Sequence, residues 1–263
     1  MMQSRHGRLR ILTGSFVLLV ALSLAANAAA EKPAVVEAGN LKLTFDGGFT
    51  PKALSKTKPT PIKLNVSGQI ATKDGSHPPA LKEFVLETDK NGGVDVKGYP
   101  VCKAGQLQSR DSSSAEKVCK AALLGTGTTG VQIQFPEQSP IPVNSKLLVF
   151  NGGEKGGTIT FYIHAYITVP TPAAIVTTVK IKRIHNGRYG IKSIASIPKI
   201  AGGSGSVTSF SLSVDKKFIY RGKKVSVLTA KCPDGKLVAQ GEAFFSDGTK
   251  AKAGVVRTCT PKG

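Results

Sequence analysis

His164 is the residue best placed to do chemistry, because it sits between two tyrosines on one face of a strand. From Thr158 to Val169, the residues Ile159, Phe161, Ile163, Ala165, Ile167 and Val169 alternate with Thr160, Tyr162, His164, Tyr166 and Thr168. Alternation sends the two sets to opposite faces of a sheet. Tyr162, His164 and Tyr166 then form an aromatic, hydrogen-bonding strip that is a candidate binding face. The plainer reading is a half-exposed outer face, where Tyr and Thr are good strand formers. A hydrolase would need a nucleophile and a carboxylate beside His164. No Gly-x-Ser-x-Gly marks a nucleophile elbow, and Gly203-Ser204-Gly205-Ser206 reads as a flexible loop.

The remaining titratable groups are less organised. Acids gather at Glu83, Glu87, Asp89 and Asp95. The first three share a strand face with Val85, and Asp95 lies across an expected hairpin turned at Asn91-Gly92. A carboxylate pair of the glycosidase kind is the sharper reading. The plainer one is a solvated acidic patch that pairs with the basic half of the chain. Asp89-Lys90-Asn91-Gly92-Gly93 lacks the acid run and terminal Glu of a calcium loop. His77, in Ser76-His77-Pro78-Pro79, reads as a turn residue. His185 has no acid within twenty positions on either side. No catalytic residue, metal ligand or cofactor is expected.

Charge and cysteines bound the rest. The chain of 263 residues carries a formal charge of +20 and no Trp. Residues 31–176 hold 16 bases and 12 acids, whereas residues 177–263 hold 17 bases and 4 acids. Such an excess attracts polyanions. Lys180, Lys182, Arg183, Arg188, Lys192, Lys216, Lys217, Arg221, Lys223 and Lys224 are the candidate contacts. The expected partner is an acidic envelope polymer or an anionic lipid surface. The plainer alternative is general solvation of a basic exported protein. Nucleic acid ranks lower, because stacking rings are not interleaved with these bases. The four cysteines pair locally as Cys102–Cys119 and Cys232–Cys259, since an even count in an exported chain reads as disulfides. Zinc fails on spacing: there is no Cys-x2-Cys, and no His lies near either pair.

Export itself is read from residues 1–30. Arg5, Arg8 and Arg10 precede an apolar run from Ile11 to Ala25, and Ala26-Asn27-Ala28-Ala29-Ala30 supplies small residues for cleavage. The run is shorter than the roughly twenty residues that span a bilayer. A signal peptide is therefore expected over 1–30, followed by a secreted domain over 31–263, extracellular or held at the envelope.

The elements that must position these residues are almost all strands. Leu41-Lys42-Leu43-Thr44-Phe45 alternates and ends at Asp46-Gly47-Gly48; Ile62, Leu64 and Val66 alternate with Lys63, Asn65 and Ser67. Phe210, Leu212 and Val214 alternate with Ser209, Ser211 and Ser213. Asn186-Gly187 predicts a tight hairpin of the type I′ kind. One short helix is expected, with Ser113-Ser114-Ala115-Glu116 as a capping box and Val118, Ala121 and Ala122 as its apolar side. Many short antiparallel strands, one helix and two local disulfides predict an all-β sandwich. Val169-Pro170-Thr171-Pro172 allows a division into two lobes, 31–170 and 171–263.

Several segments together carry a resemblance. They are Ser67-Gly68-Gln69-Ile70, Asp74-Gly75-Ser76-His77-Pro78-Pro79, Tyr99-Pro100-Val101-Cys102, the stretch from Cys119 to Gly127, and Phe150-Asn151-Gly152. Over most of residues 60–200 the chain resembles a group of uncharacterised exported proteins of actinobacteria. The resemblance implies an envelope or extracellular protein of a high-GC Gram-positive type and brings no catalytic residues. The abundance of lysine departs from the arginine-rich chains of that group. Non-enzymatic binding or structural work at the envelope is the favoured function. A secreted polysaccharide or ester hydrolase and a sugar-binding module are the alternatives.

Overall fold

The computed structural model describes residues 31–263; the expected signal peptide lies outside the described residues. Twelve strands form one sheet. They are β1 (Ala34–Ala38), β2 (Leu41–Thr50), β3 (Lys63–Thr72), β4 (Leu81–Asp89), β5 (Leu123–Ile133), β6 (Ile141–Lys155), β7 (Thr158–Ile167), β8 (Ala173–Asn186), β9 (Tyr189–Ser196), β10 (Gly205–Val214), β11 (Lys236–Phe245) and β12 (Lys250–Thr258). Their order across the sheet is β1-β2-β3-β10-β5-β6-β7-β8-β9-β4-β11-β12, and every neighbouring pair is antiparallel. β12 lies against β1 and β2, so the sheet curls back on itself into a flattened, nearly closed barrel. The all-β, two-layered architecture expected from the sequence is what the structure has. Strands from 31–170 and 171–263 interleave, with β10 between β3 and β5, so the division into two lobes does not describe this sheet.

The layers meet through aromatic rings. Phe84 on β4 touches Phe45 on β2 and Phe210 on β10, with ring centroids 5.9 and 5.7 Å apart. Glycine makes the room. A Cβ on Gly68 would lie 2.5 Å from the Phe210 ring, and one on Gly241 would lie 2.8 Å from Phe84. These rings divide the interior. On one side, buried clusters fill the barrel end: Leu41, Leu43, Ile70, Leu81, Ala243, Phe245 and Ala251, with Val131, Ile133, Val143, Ile167 and Ile200 nearby.

The opposite end is covered by chain rather than filled by side chains. Residues 51–62, 90–122 and 215–235 are the long connections there. A small cap sheet joins Thr60–Pro61, Leu228–Ala230 and Gly92–Val94. The hairpin expected across Asn91-Gly92 does not form. The chain turns there, but Gly92–Val94 pairs with Leu228–Ala230 instead of returning along β4, because β9 and β11 already pair with both edges of β4. The Cys232–Cys259 disulfide ties the cap to the end of β12, and Cys102–Cys119 closes the other covering segment. Both bonds match the expected pairing.

Residues 99–122 form a flap over the outer face of β6 and β7. Here the Tyr99-Pro100-Val101-Cys102 and Phe150-Asn151-Gly152 segments meet. Asn151, fully buried, donates from Nδ2 to the carbonyls of Tyr99 and Pro100, and its backbone carbonyl accepts from Cys102 N–H. The one α-helix among the described residues, α1 (Ser112–Val118), starts two residues earlier than the capping box predicts. Asp111 is the cap: its carboxylate accepts from Ser114 N–H at 2.9 Å, and a carboxylate is the stronger acceptor. That choice turns Ala115 inward and leaves Val118 exposed, rather than on the apolar side. The tight turn from β8 to β9 also shifts by one residue. Its central pair is Gly187-Arg188, and of the two only Gly187 has positive φ, the pattern of type II′.

Candidate functional site

The Tyr162–His164–Tyr166 strip is placed on the outer face of β7, as alternation requires, but that face is not open. The flap lies over its middle. His164 is completely buried and Tyr162 packs on the Cys102, Cys119 and Ala115 cluster; Tyr166 is half-buried. The strip is therefore not a continuous ligand platform. His164 Nε2 donates to the Arg110 carbonyl at 2.9 Å, and Nδ1 has no hydrogen-bond partner among the described residues. Burial pushes its pKa below the ordinary histidine value, opposed by the Arg110 carbonyl and the Asp111 charge. No carboxylate reaches either ring nitrogen, so the hydrolase reading loses the geometry it needs at His164.

The acidic cluster is engaged too. Asp89 accepts from Arg188 Nε at 2.7 Å, from both nitrogens of Asn91 and from Val238 N–H. Glu87 accepts from Gln240 at 2.7 Å and faces Lys192 at 3.6 Å. Arg188 continues to Asp234, whose pKa it lowers to about 2, while its own rises. The expected pairing between this patch and the basic half is thus seen. It also removes Arg188 and Lys192 from the cations free to meet a partner. Lys180 donates to Thr160 Oγ1 at 3.0 Å on the barrel wall.

A serine–histidine contact escaped the sequence reading. His77 Nε2 lies 3.1 Å from Ser206 Oγ, and its Nδ1 lies 2.9 Å from the Gln132 side chain. Ser206 Oγ is also 2.6 Å from the Pro78 carbonyl, which can only accept. The hydroxyl proton therefore points to Pro78, and His77 donates to the oxygen. That is the reverse of a general base. Ser206 is 1% exposed, so this network clamps the 73–80 turn to β10 and β5 and does not present a nucleophile.

An apolar site with room for another molecule lies inside the barrel. Between the Phe45–Phe84–Phe210 rings and the cap sheet lies a cavity of about 240 Å³. Leu64, Val66, Leu86, Ile163, Leu212 and Val214 line it from the strands, and Val94, Leu228 and Ala230 line it from the cap. The alternating strands read from the sequence supply most of these side chains. The only charged groups on the lining are Asp89 and Arg257. Asp89 is engaged as described, and Arg257 bridges the barrel seam to Asp46 and the Gly47 carbonyl. Apolar cavities take apolar guests; an engineered one of about 150 Å³ binds benzene.

The remaining basic candidates are sorted by the barrel rather than by the sequence. At the capped end, leaving the flap aside, the strand connections and C-terminal tail carry 13 bases and 3 acids. At the filled end the connections carry 2 bases and 3 acids. Lys216, Lys217, Arg221, Lys223 and Lys224 lie on or beside one hairpin of the capped end, and Lys182 and Arg183 lie toward the same end of β8. Among the described residues no cluster of His, Cys, Asp and Glu could hold a metal ion, and no helix is long and apolar enough to cross a membrane. The chain matches no protein-family model, no curated protein and no solved structure.

Proposed function

We propose that this chain is an exported, non-enzymatic binding protein that shelters an apolar ligand inside its barrel. The cavity carries this reading. Native interiors are close-packed, and a space of about 240 Å³ lined by aliphatic and aromatic side chains departs from that rule. Its charged lining groups are already paired, so the interior offers nothing to a charged guest. A single hydrocarbon tail or a small neutral molecule suits it. Export agrees with the leader, with both disulfides and with the resemblance to exported actinobacterial proteins.

A fluorescent polyene fatty acid titrated into the mature protein tests the reading. Saturable enhancement is expected. Leu212→Phe, which fills the space, abolishes it while leaving Tm unchanged or raised. Absence of saturable binding in the parent overturns the reading.

A second reading is favoured by the sorting of charge along the barrel. The capped end faces an acidic surface of the envelope, either polymer or anionic lipid. Lys182, Arg183, Lys216, Lys217, Arg221, Lys223 and Lys224 remain as contacts. Retention on such material at low salt and release at high salt is its signature.

A further inference from the structure

We propose that the acidic surface is a phospholipid bilayer and that the hairpin Lys217–Tyr220/Lys223–Ser226 is the element that enters it. This rests on the second reading above, in which the capped end meets an acidic surface. The hairpin is built with two unlike faces. Register pairs Phe218 with Val225 and Tyr220 with Lys223 on one side, and Ile219 with Lys224 and Lys217 with Ser226 on the other.

The first side is anchored. Phe218 meets Tyr99 edge-on at 4.9 Å, and Tyr220 covers Gly98 so closely that a Cβ there would lie 2.1 Å from its ring. The aromatic pair fixes the orientation and leaves Ile219 pointing outward, 67% exposed. It is the most exposed large hydrophobic residue among those described. No packing requirement of the barrel places an isoleucine there.

The surroundings of Ile219 are cationic. Lys217, Lys223 and Lys224 have no carboxylate partner among the described residues, and Arg221 at the turn stacks on Tyr220 at 5.4 Å. Lys216 completes a group of five bases within nine residues. Clusters of four to eight bases attract anionic lipid headgroups. Charge alone serves a hydrated polymer equally well. An isoleucine gains only where the partner has an apolar layer beneath its charge, and a bilayer has one. The occupant is thus an anionic lipid surface. It sits at the end of the barrel whose cap walls the cavity.

Co-sedimentation of the mature chain tests this with three probes: phosphatidylglycerol-containing vesicles, phosphatidylcholine vesicles and immobilised polyphosphate. Retention is expected on the first and third, and not on the second. Ile219→Ser should weaken vesicle binding roughly tenfold, the worth of part of one buried aliphatic side chain. It should leave polyphosphate binding and Tm unchanged. Lys217→Glu with Lys224→Glu should abolish both. If Ile219→Ser binds vesicles as the parent does, or only polyphosphate retains the parent, the bilayer inference is overturned and the acidic-surface reading stands. If the parent binds neither, both fall.

Discussion

The two ends of the barrel solve the same problem in different ways. One end is filled by its own strands: Phe245, Leu41, Leu81, Ile133 and Ile167 interdigitate beneath short turns. The other end is covered by three long connections, held by a cap sheet and the Cys232–Cys259 disulfide, over a cavity, with Cys102–Cys119 closing the flap outside it. A filled end stores stability in packing. A covered end must offset the entropy of ordering its covering chain, which cross-links do by constraining the unfolded state. The covered end also carries most of the charge excess found in the connections, 13 bases against 3 acids, where the filled end has 2 against 3. The division teaches where binding is to be sought: packing and neutrality mark the end that holds the fold, and space, charge and tethers mark the end that meets something else.

The largest break in the comparison comes from matched truncations. Phe245→Ala removes a side chain 2% exposed in the filled end and should cost about 3–5 kcal/mol. Leu212→Ala faces the cavity, where contacts are already missing on one side. It should cost only about 1–2 kcal/mol. Urea unfolding of the two variants measures the difference. Equal costs would mean that the space beneath the cap is packed.

The disulfides come next. Replacing Cys232 and Cys259 by Ser opens a loop with sequence separation 27 and should cost about 3–4 kcal/mol; the pair Cys102 and Cys119, separation 17, should cost about 3. Similar energies hide different consequences. Loss of the first frees the cap, so fatty-acid binding should weaken. Loss of the second frees the flap over His164, so cavity binding should persist.

Much of the barrel was legible in the residues, and most of the site was not. Alternation in 62–70, 158–169 and 210–214 identified inward faces correctly, because a strand has only two faces. It did not reveal how far apart opposing layers stand, and the cavity is a matter of that distance. Nor did it reveal which outward face another segment covers, so His164 read as open although the flap buries it. The Ser206–His77 contact spans 129 positions, beyond any local pattern. Charge showed an intermediate case. The excess was plain in 177–263, but antiparallel strands return every connection to one end or the other. The lysines that matter together therefore include Lys52, Lys56 and Lys58 from the other half.

The smallest effect is a pH dependence that isolates the flap. His164 is buried and its pKa lies below the ordinary value, whereas in the unfolded chain it titrates near 6.5. Below that pH the unfolded chain binds a proton that the folded chain refuses. Stability therefore falls as pH drops from about 7 toward 5, by at most about 1.4 kcal/mol per pH unit for one proton. Asp111 and Asp234, whose values are lowered, lose their contributions only as pH falls below the usual carboxylate range, so they do not enter this window. His164→Gln keeps a donor for the Arg110 carbonyl and has no proton to bind. Thermal unfolding of parent and variant across pH 5–7 should diverge toward acid, with the variant the flatter. The same slope in both would mean that His164 is not held dry. In the Cys102→Ser, Cys119→Ser background the parent's slope should shrink, because a loosened flap admits water to the ring, whereas opening the Cys232–Cys259 loop at the cap should leave it unchanged.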